Sequence, residues 1–184
     1  GRAILQNGGF EEMRDATHYK YWDNFNLSGG AETKADTATM HSGTQSLNIV
    51  LPSDTALFQL GQWWIPVNEQ YAYEAEGWYK QENQNAQIEL RFTFYDSNSV
   101  HTGTRSVYPK ASGDEWYTYM ETVVPPEGSA LVTIEVIANG AEGSIWVDDI
   151  AVREVAKPEM PTLDEGWHSV DLGIADLDAS VTAT

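Results

Sequence analysis

A period-two alternation of apolar and polar residues recurs in short runs along most of this chain, while helical periodicity is nearly absent. In residues 45–51, Leu47, Ile49 and Leu51 share one face. In 71–79, Tyr71, Tyr73, Ala75 and Tyr79 do so. In 88–94, Ile88, Leu90, Phe92 and Phe94 point one way and Glu89, Arg91 and Thr93 the other. Residues 116–124, 131–137 and 144–152 read the same way. Successive strand side chains point to opposite faces, so each run predicts a strand with one buried face. Turn chemistry separates the runs: Ser28-Gly29-Gly30, Asp96-Ser97-Asn98, Ser112-Gly113-Asp114, Pro125-Pro126-Glu127-Gly128 and Asn139-Gly140. Many short strands at this spacing predict an all-β fold, an antiparallel β-sandwich of the jelly-roll kind.

The chain has 184 residues, 41% hydrophobic and 21% charged, which suits one globular domain with a core of its own. The sandwich is expected over residues 1–155. Lys157-Pro158-Glu159-Met160-Pro161 reads as a linker, and 162–184 is either the start of a neighbouring module or a segment laid on the sandwich. The chain lacks a start Met and a leader-like segment, which predicts a mature or excised piece. Ten Lys and Arg against 28 Asp and Glu give a formal charge of −18. That balance disfavours nucleic acid and anionic membrane as partners, both of which need basic surface. It suits divalent cations. With no Cys, disulfides, thiolate zinc sites and a Cys nucleophile are excluded.

Chemistry-bearing constellations are few. His18, His41, His101 and His168 lie far apart, without a metal or triad pattern. Glu89 is the one acid expected on a polar strand face, with no partner acid set by spacing, so a glycosidase pair is not indicated. Glu11 follows Gly8 and Gly9, whose flexible backbone can turn a carbonyl toward a cation. Asp148 lies on the last strand, and the 41–47 turn offers further carbonyls. These acids could share a cation across terminal strands lying side by side, or simply be surface acids.

A set of motifs recurs in order across residues 4–154: Asn7-Gly8-Gly9-Phe10-Glu11, Trp22-Asp23, His41-Ser42-Gly43 with Ser46-Leu47, Ile65-Pro66-Val67, Tyr73, Trp78, Glu115-Trp116, and Ile145-Trp146-Val147-Asp148-Asp149-Ile150. This set resembles the carbohydrate-binding modules of the family 4, 9, 16 and 22 type. The resemblance does not reach past Pro158. It implies a jelly roll in which a structural calcium ties the first strand to the last. Its ligands would be the Gly9 carbonyl, the Glu11 carboxylate, carbonyl oxygen in the turn from Ser42 to Gln45, and the Asp148 carboxylate. Some relatives carry an acid where this chain has Ser42.

The resemblance further implies a non-catalytic, secreted, monomeric module that binds polysaccharide and works beside the other modules of a polysaccharide-degrading enzyme. Trp22, Trp78 and Trp146 match positions that look structural and are assigned inward. The strand holding Phe58 and Trp63-Trp64 would contribute a stacking aromatic. Adjacent side chains on a strand diverge, so at least one Trp leaves the core; Trp63 is favoured, then Phe58. Gln87 and Arg91, flanking Glu89, are hydroxyl-binding types in a row. The segment 101–108 would line the same groove through His101, Arg105 and Tyr108. A neutral β-glycan bound internally is the expected ligand. An acidic polymer would need a local basic patch from Arg91, Arg105 and Lys110. The rival reading is a calcium-stiffened structural or adhesion sandwich whose aromatics are all core.

Overall fold

The computed structural model describes residues 1–111 and 113–159. They form ten strands: β1 Asp23–Ser28, β2 Glu32–Asp36, β3 Ser46–Leu51, β4 Leu57–Pro66, β5 Tyr71–Gln81, β6 Gln87–Tyr95, β7 His101–Val107, β8 Tyr117–Val123, β9 Leu131–Asn139 and β10 Gly143–Ala156. Two five-stranded sheets result, in the orders β1-β4-β9-β6-β7 and β2-β3-β10-β5-β8, and every named pairing is antiparallel. All six runs of alternating residues are strands. The last strand ends at Ala156, and the expected tail from 160 onward lies outside the described residues.

The core lies between the sheets and is built by alternation. Ile88, Leu90, Phe92 and Phe94 of β6 face inward beside Val132, Ile134, Val136 and Ala138 of β9, all fully buried. Leu47, Ile49, Tyr73, Tyr79, Ile145 and Val147 meet them from the other sheet. Burial of this kind stabilises by about 1.5–3 kcal/mol per large apolar side chain. Phe10, Tyr19 and Trp22 close one end: Phe10 stacks on Trp22 at 5.0 Å and meets Tyr19 edge-on at 5.3 Å. Trp22 is thus inward, as expected.

Trp78 and Trp146 are not. Each alternates with buried neighbours (Gly77 and Tyr79; Ile145 and Val147), so period two sends both indoles to the outer face, where they are half-buried. Trp78 stacks on His41 at 3.7 Å, and Trp146 donates its indole N–H to Asp36 at 2.8 Å. Tyr71 also departs from its expected inward place. It opens β5 at the sandwich end and is exposed.

The first strand, β1, lies in the other sheet from β10, so the terminal strands are not neighbours; the segment ahead of β1, which forms no named strand, lies along β10 instead. The Ile4 N–H donates to the Val152 carbonyl, the Glu154 N–H to Arg2 and the Ile150 N–H to Gly8, each at 2.9 Å. The start of the chain is thereby fastened along β10.

Candidate functional site

The outer face of the β1-β4-β9-β6-β7 sheet gathers the polar and aromatic candidates. Register places Gly61, Glu135, Arg91 and Ser106 in one row across β4, β9, β6 and β7. The Arg91 guanidinium donates to both oxygens of Glu89, at 2.8 and 3.2 Å, and Ser106 Oγ donates to Glu89 Oε2 at 2.8 Å. Hydrogen bonding to Glu89 holds the Arg91 pKa above its ordinary value. Glu135, opposite Arg91, is a second acid on this face, so Glu89 is not the only one there. Burial pushes the Glu135 carboxyl above the usual carboxylate range, Arg91 opposes that, and Glu89 adds to it.

That direction gives a test. A carboxyl whose pKa is higher folded than unfolded binds its proton more tightly when folded, so stability rises as pH falls through the folded pKa. Glu135→Gln is therefore expected to stabilise the chain at neutral pH, with a gain that shrinks in mild acid. Urea unfolding of both chains across that range checks it. A difference independent of pH would remove charge burial as the cause.

Aromatic rings rim this polar row. β4 bulges between Gln62 and Ile65, and Trp64 takes a left-handed backbone, φ 53°. The bulge adds a residue to β4 and breaks its alternation, so both Trp63 and Trp64 are exposed, at 49% and 45%. The Phe25 ring lies over Gly61, where a Cβ would overlap it, and Trp63 meets Phe25 edge-on at 4.0 Å. Trp64 leans on Tyr95 at 4.8 Å, Tyr95 meets His101 at 6.0 Å, and the His101 ring is 3.1 Å from Thr104 Oγ1. Beneath this rim Thr133 is buried, on the outward parity of β9, and its hydroxyl has no hydrogen-bond partner among the described residues. Gln87 and Tyr108 are exposed at the far end, where both line a cavity of about 500 Å³.

Two expected binding residues are elsewhere. Phe58 is fully buried: it shares the inward face of β4 with Leu60, and its ring belongs to the core. Arg105 pairs in register with inward-facing Phe92, so it lies on the opposite side of β7 from Ser106 and Arg91. It reaches the Thr104 carbonyl at 3.0 Å from the free edge of the sheet. Trp63, Gln87, Arg91, His101 and Tyr108 share the outer face. Sequence reasoning missed Phe25, Trp64, Tyr95, Thr133 and Glu135; the last two stood at alternate positions of a recognised strand, where period two marks them as outward.

The proposed metal ligands gather at the other sheet. Asp148 is fully buried, and its Oδ2 accepts from the backbone N–H of His41 at 2.9 Å and Ser42 at 3.2 Å. Burial raises its pKa, and the backbone donors oppose that. Glu11 accepts from the Thr44 N–H at 3.0 Å and from Thr44 Oγ1 at 2.6 Å. Its carboxylate fills the space at Gly43, where φ is 65° and a Cβ would overlap it. Ser42 Oγ donates to Asp149 at 2.9 Å, and the Gln45 side-chain amide donates to the Phe10 carbonyl at 2.6 Å. Gly9 adjoins this group through the Glu11 and Asp149 side chains. Among the described residues no three His, Asp or Glu side chains converge as a metal site. Of what a hard cation needs, the group supplies two carboxylates on one turn, and the turn meets both with backbone N–H donors.

Comparison with solved structures places this architecture. The chain matches TmCBM61 in complex with β-1,4-galactotriose at a TM-score of 0.60 and 22% identity, over 84% of this chain and 100% of that one. The fold is that of carbohydrate-binding modules. The CBM22-1 xylan-binding domain from Paenibacillus barcinonensis Xyn10C matches over 86% of this chain and 97% of its own, at 15% identity and a TM-score of 0.55. The enzymatically active domain of bacteriophage CBA120 tailspike protein 4 matches at 0.64 and 16% identity; the chain spans 83% of itself there but only 21% of that protein. No family model and no curated protein sequence matches the chain.

Proposed function

We propose that this chain is a non-catalytic module that binds a neutral β-glycan on the outer face of the β1-β4-β9-β6-β7 sheet. The observation that carries this is the pairing of exposed indoles with a planar, hydrogen-bonded polar row on one face. Sugar rings stack their C–H faces on aromatics and offer hydroxyls to planar donors and acceptors. Neutral glycan is favoured over an anionic polymer because Arg91 is chelated by Glu89 and faces Glu135, leaving no free cation at the centre. The neighbours whose names state a ligand, galactotriose and xylan, point the same way. Hydrolysis is disfavoured because both Glu89 oxygens are engaged by Arg91 or Ser106. In this reading the module is extracellular, tethers an attached polysaccharide-degrading enzyme to its substrate, and is stiffened by calcium held through Glu11, Asp148 and carbonyls of Gly9 and the turn from Ser42 to Gln45.

Trp63→Ala is expected to lose about 2 kcal/mol of binding, roughly thirtyfold in affinity, while its melting temperature stays close to that of the parent. Affinity electrophoresis in gels containing xylan, β-glucan or galactan reads this. Unchanged mobility of Trp63→Ala and Arg91→Ala in a gel that retards the parent would move binding off this face. Absence of retardation by any glycan would favour the structural sandwich, and release of reducing ends would show an enzyme.

A further inference from the structure

A second concavity lies past the end of the polar row. β1 pairs with β4 only as far as Gly61, which leaves the second half of β4 without a strand partner on that side. The N-terminal segment crosses the gap, tied down by the Gln62 amide, which donates to the Gln6 carbonyl at 2.6 Å. Between them is a cavity of about 610 Å³, lined by Tyr21, Trp63, Trp64, Arg2 and Asp23 among others.

Two further observations single out its walls. First, only six non-glycine residues among those described take positive φ, and two of them, Tyr21 at 71° and Trp64 at 53°, line this cavity. A bulky aromatic in the left-handed region is strained, and such strain concentrates where a ligand is met. Second, the rings flanking the cavity are open to solvent: Tyr21 is 44% exposed, Trp63 49% and Trp64 45%. The charges on the rim are already matched. Arg2 pairs with Glu154 at 2.9 Å and Asp23 with Arg14 at 3.2 Å, so an ion finds no unpaired partner in either. Lys20, whose ammonium lies 5.0 Å over the Tyr21 ring, is likewise paired, with Glu12 at 2.8 Å, and exposed rings beside charges neutralised in place suit an uncharged, amphipathic ring.

We propose that this edge cavity is an additional subsite that holds one further neutral pyranose unit of a chain crossing the sheet, passing over the Trp63–Trp64 bulge. The proposal rests on the glycan-binding reading above and extends it from the face of the sheet to its edge. It predicts a length dependence. Tyr21 lines the edge cavity and takes no part in the row centred on Arg91, so its removal affects only ligands long enough to reach the edge.

Calorimetric titration with xylo-, cello- and β-1,4-galacto-oligosaccharides of three to six units tests this, using the parent, Tyr21→Ala, Tyr21→Phe and Arg91→Ala. Tyr21→Asn serves as a second truncation, because Asn tolerates left-handed backbone. Both truncations are expected to weaken the hexasaccharide about tenfold while leaving the trisaccharide within about twofold, and Tyr21→Phe to keep parental affinity throughout. Truncations that bind every length as the parent does, while Arg91→Ala weakens all of them, would overturn the edge subsite and leave the groove standing. Equal loss at every length would also overturn it, since Tyr21 would then act on the groove as a whole. A parent chain that binds none of these oligosaccharides would overturn both readings.

Discussion

Phe58→Ala is expected to lower the free energy of unfolding by about 3–5 kcal/mol, the range for removing a buried phenyl ring. The ring is fully buried on the inward face of β4, beside Leu60 and opposite the other sheet. Truncation removes its transfer free energy and leaves a cavity, since strands hydrogen-bonded to β1 and β9 on both sides cannot collapse into the gap. A domain of this size has about 5–15 kcal/mol to spare, so a large fraction is lost. The comparison with Trp63 carries the information. Phe58→Ala should shift the urea midpoint strongly and keep glycan affinity wherever it remains folded, whereas Trp63→Ala should do the reverse. If Phe58→Ala unfolded at the parental urea concentration yet lost glycan retention, the ring would belong to the binding face and the inward register of β4 would be wrong.

The two residues show where the sequence is legible and where it stops being so. In β6, strict alternation of Ile88, Leu90, Phe92 and Phe94 with Gln87, Glu89, Arg91 and Thr93 separates the inward face from the outward one as the structure has them, because a one-residue slip would bury the charges. In β4 the same logic fails. Gly61 has no side chain to mark a face, and the bulge after Gln62 adds a residue, so parity on one side of it does not carry to the other. Nothing in the types Trp63-Trp64 announces a left-handed indole. Arg105 was misplaced for a related reason: β7 is an edge strand with a single buried residue, Val107, and so has no apolar face from which to read direction. Trp78 and Trp146 are the opposite case. Their outward parity was readable from buried neighbours on either side, and treating them as structural by resemblance overrode it. The convergence of Glu11, Asp148 and the 41–44 turn depends on contacts 33 residues apart for Glu11 and more than a hundred apart for Asp148, which no local pattern encodes.

Removing calcium with a chelator is expected to destabilise the chain by about 2.7 kcal/mol relative to a hundredfold excess over the dissociation constant, because a metal that binds only the folded state stabilises it by mass action. For a domain of this length that corresponds to roughly 5–10 °C in melting temperature. The physical basis is a carboxylate that water does not reach. Asp148 is fully buried, burial raises its pKa, and among the described residues its oxygens accept only from backbone N–H groups, those of His41, Ser42 and Asp149. Glu11 brings a second carboxylate to the same turn through the opening at Gly43. Three left-handed non-glycine residues, Asn7, Phe10 and Asp149, surround this junction, strain that a bound cation would help hold in place. Calcium is expected to act where magnesium does not, since an irregular cage of carboxylates and carbonyls suits the larger ion. Glu11→Gln should abolish the response to chelator without loss of the Thr44 contact, because the amide oxygen still accepts from that N–H. A melting temperature unmoved by chelator, together with no metal found by elemental analysis, would make these carboxylates hydrogen-bonded staples that tie the N-terminal segment and β10 to the 41–44 turn and nothing more.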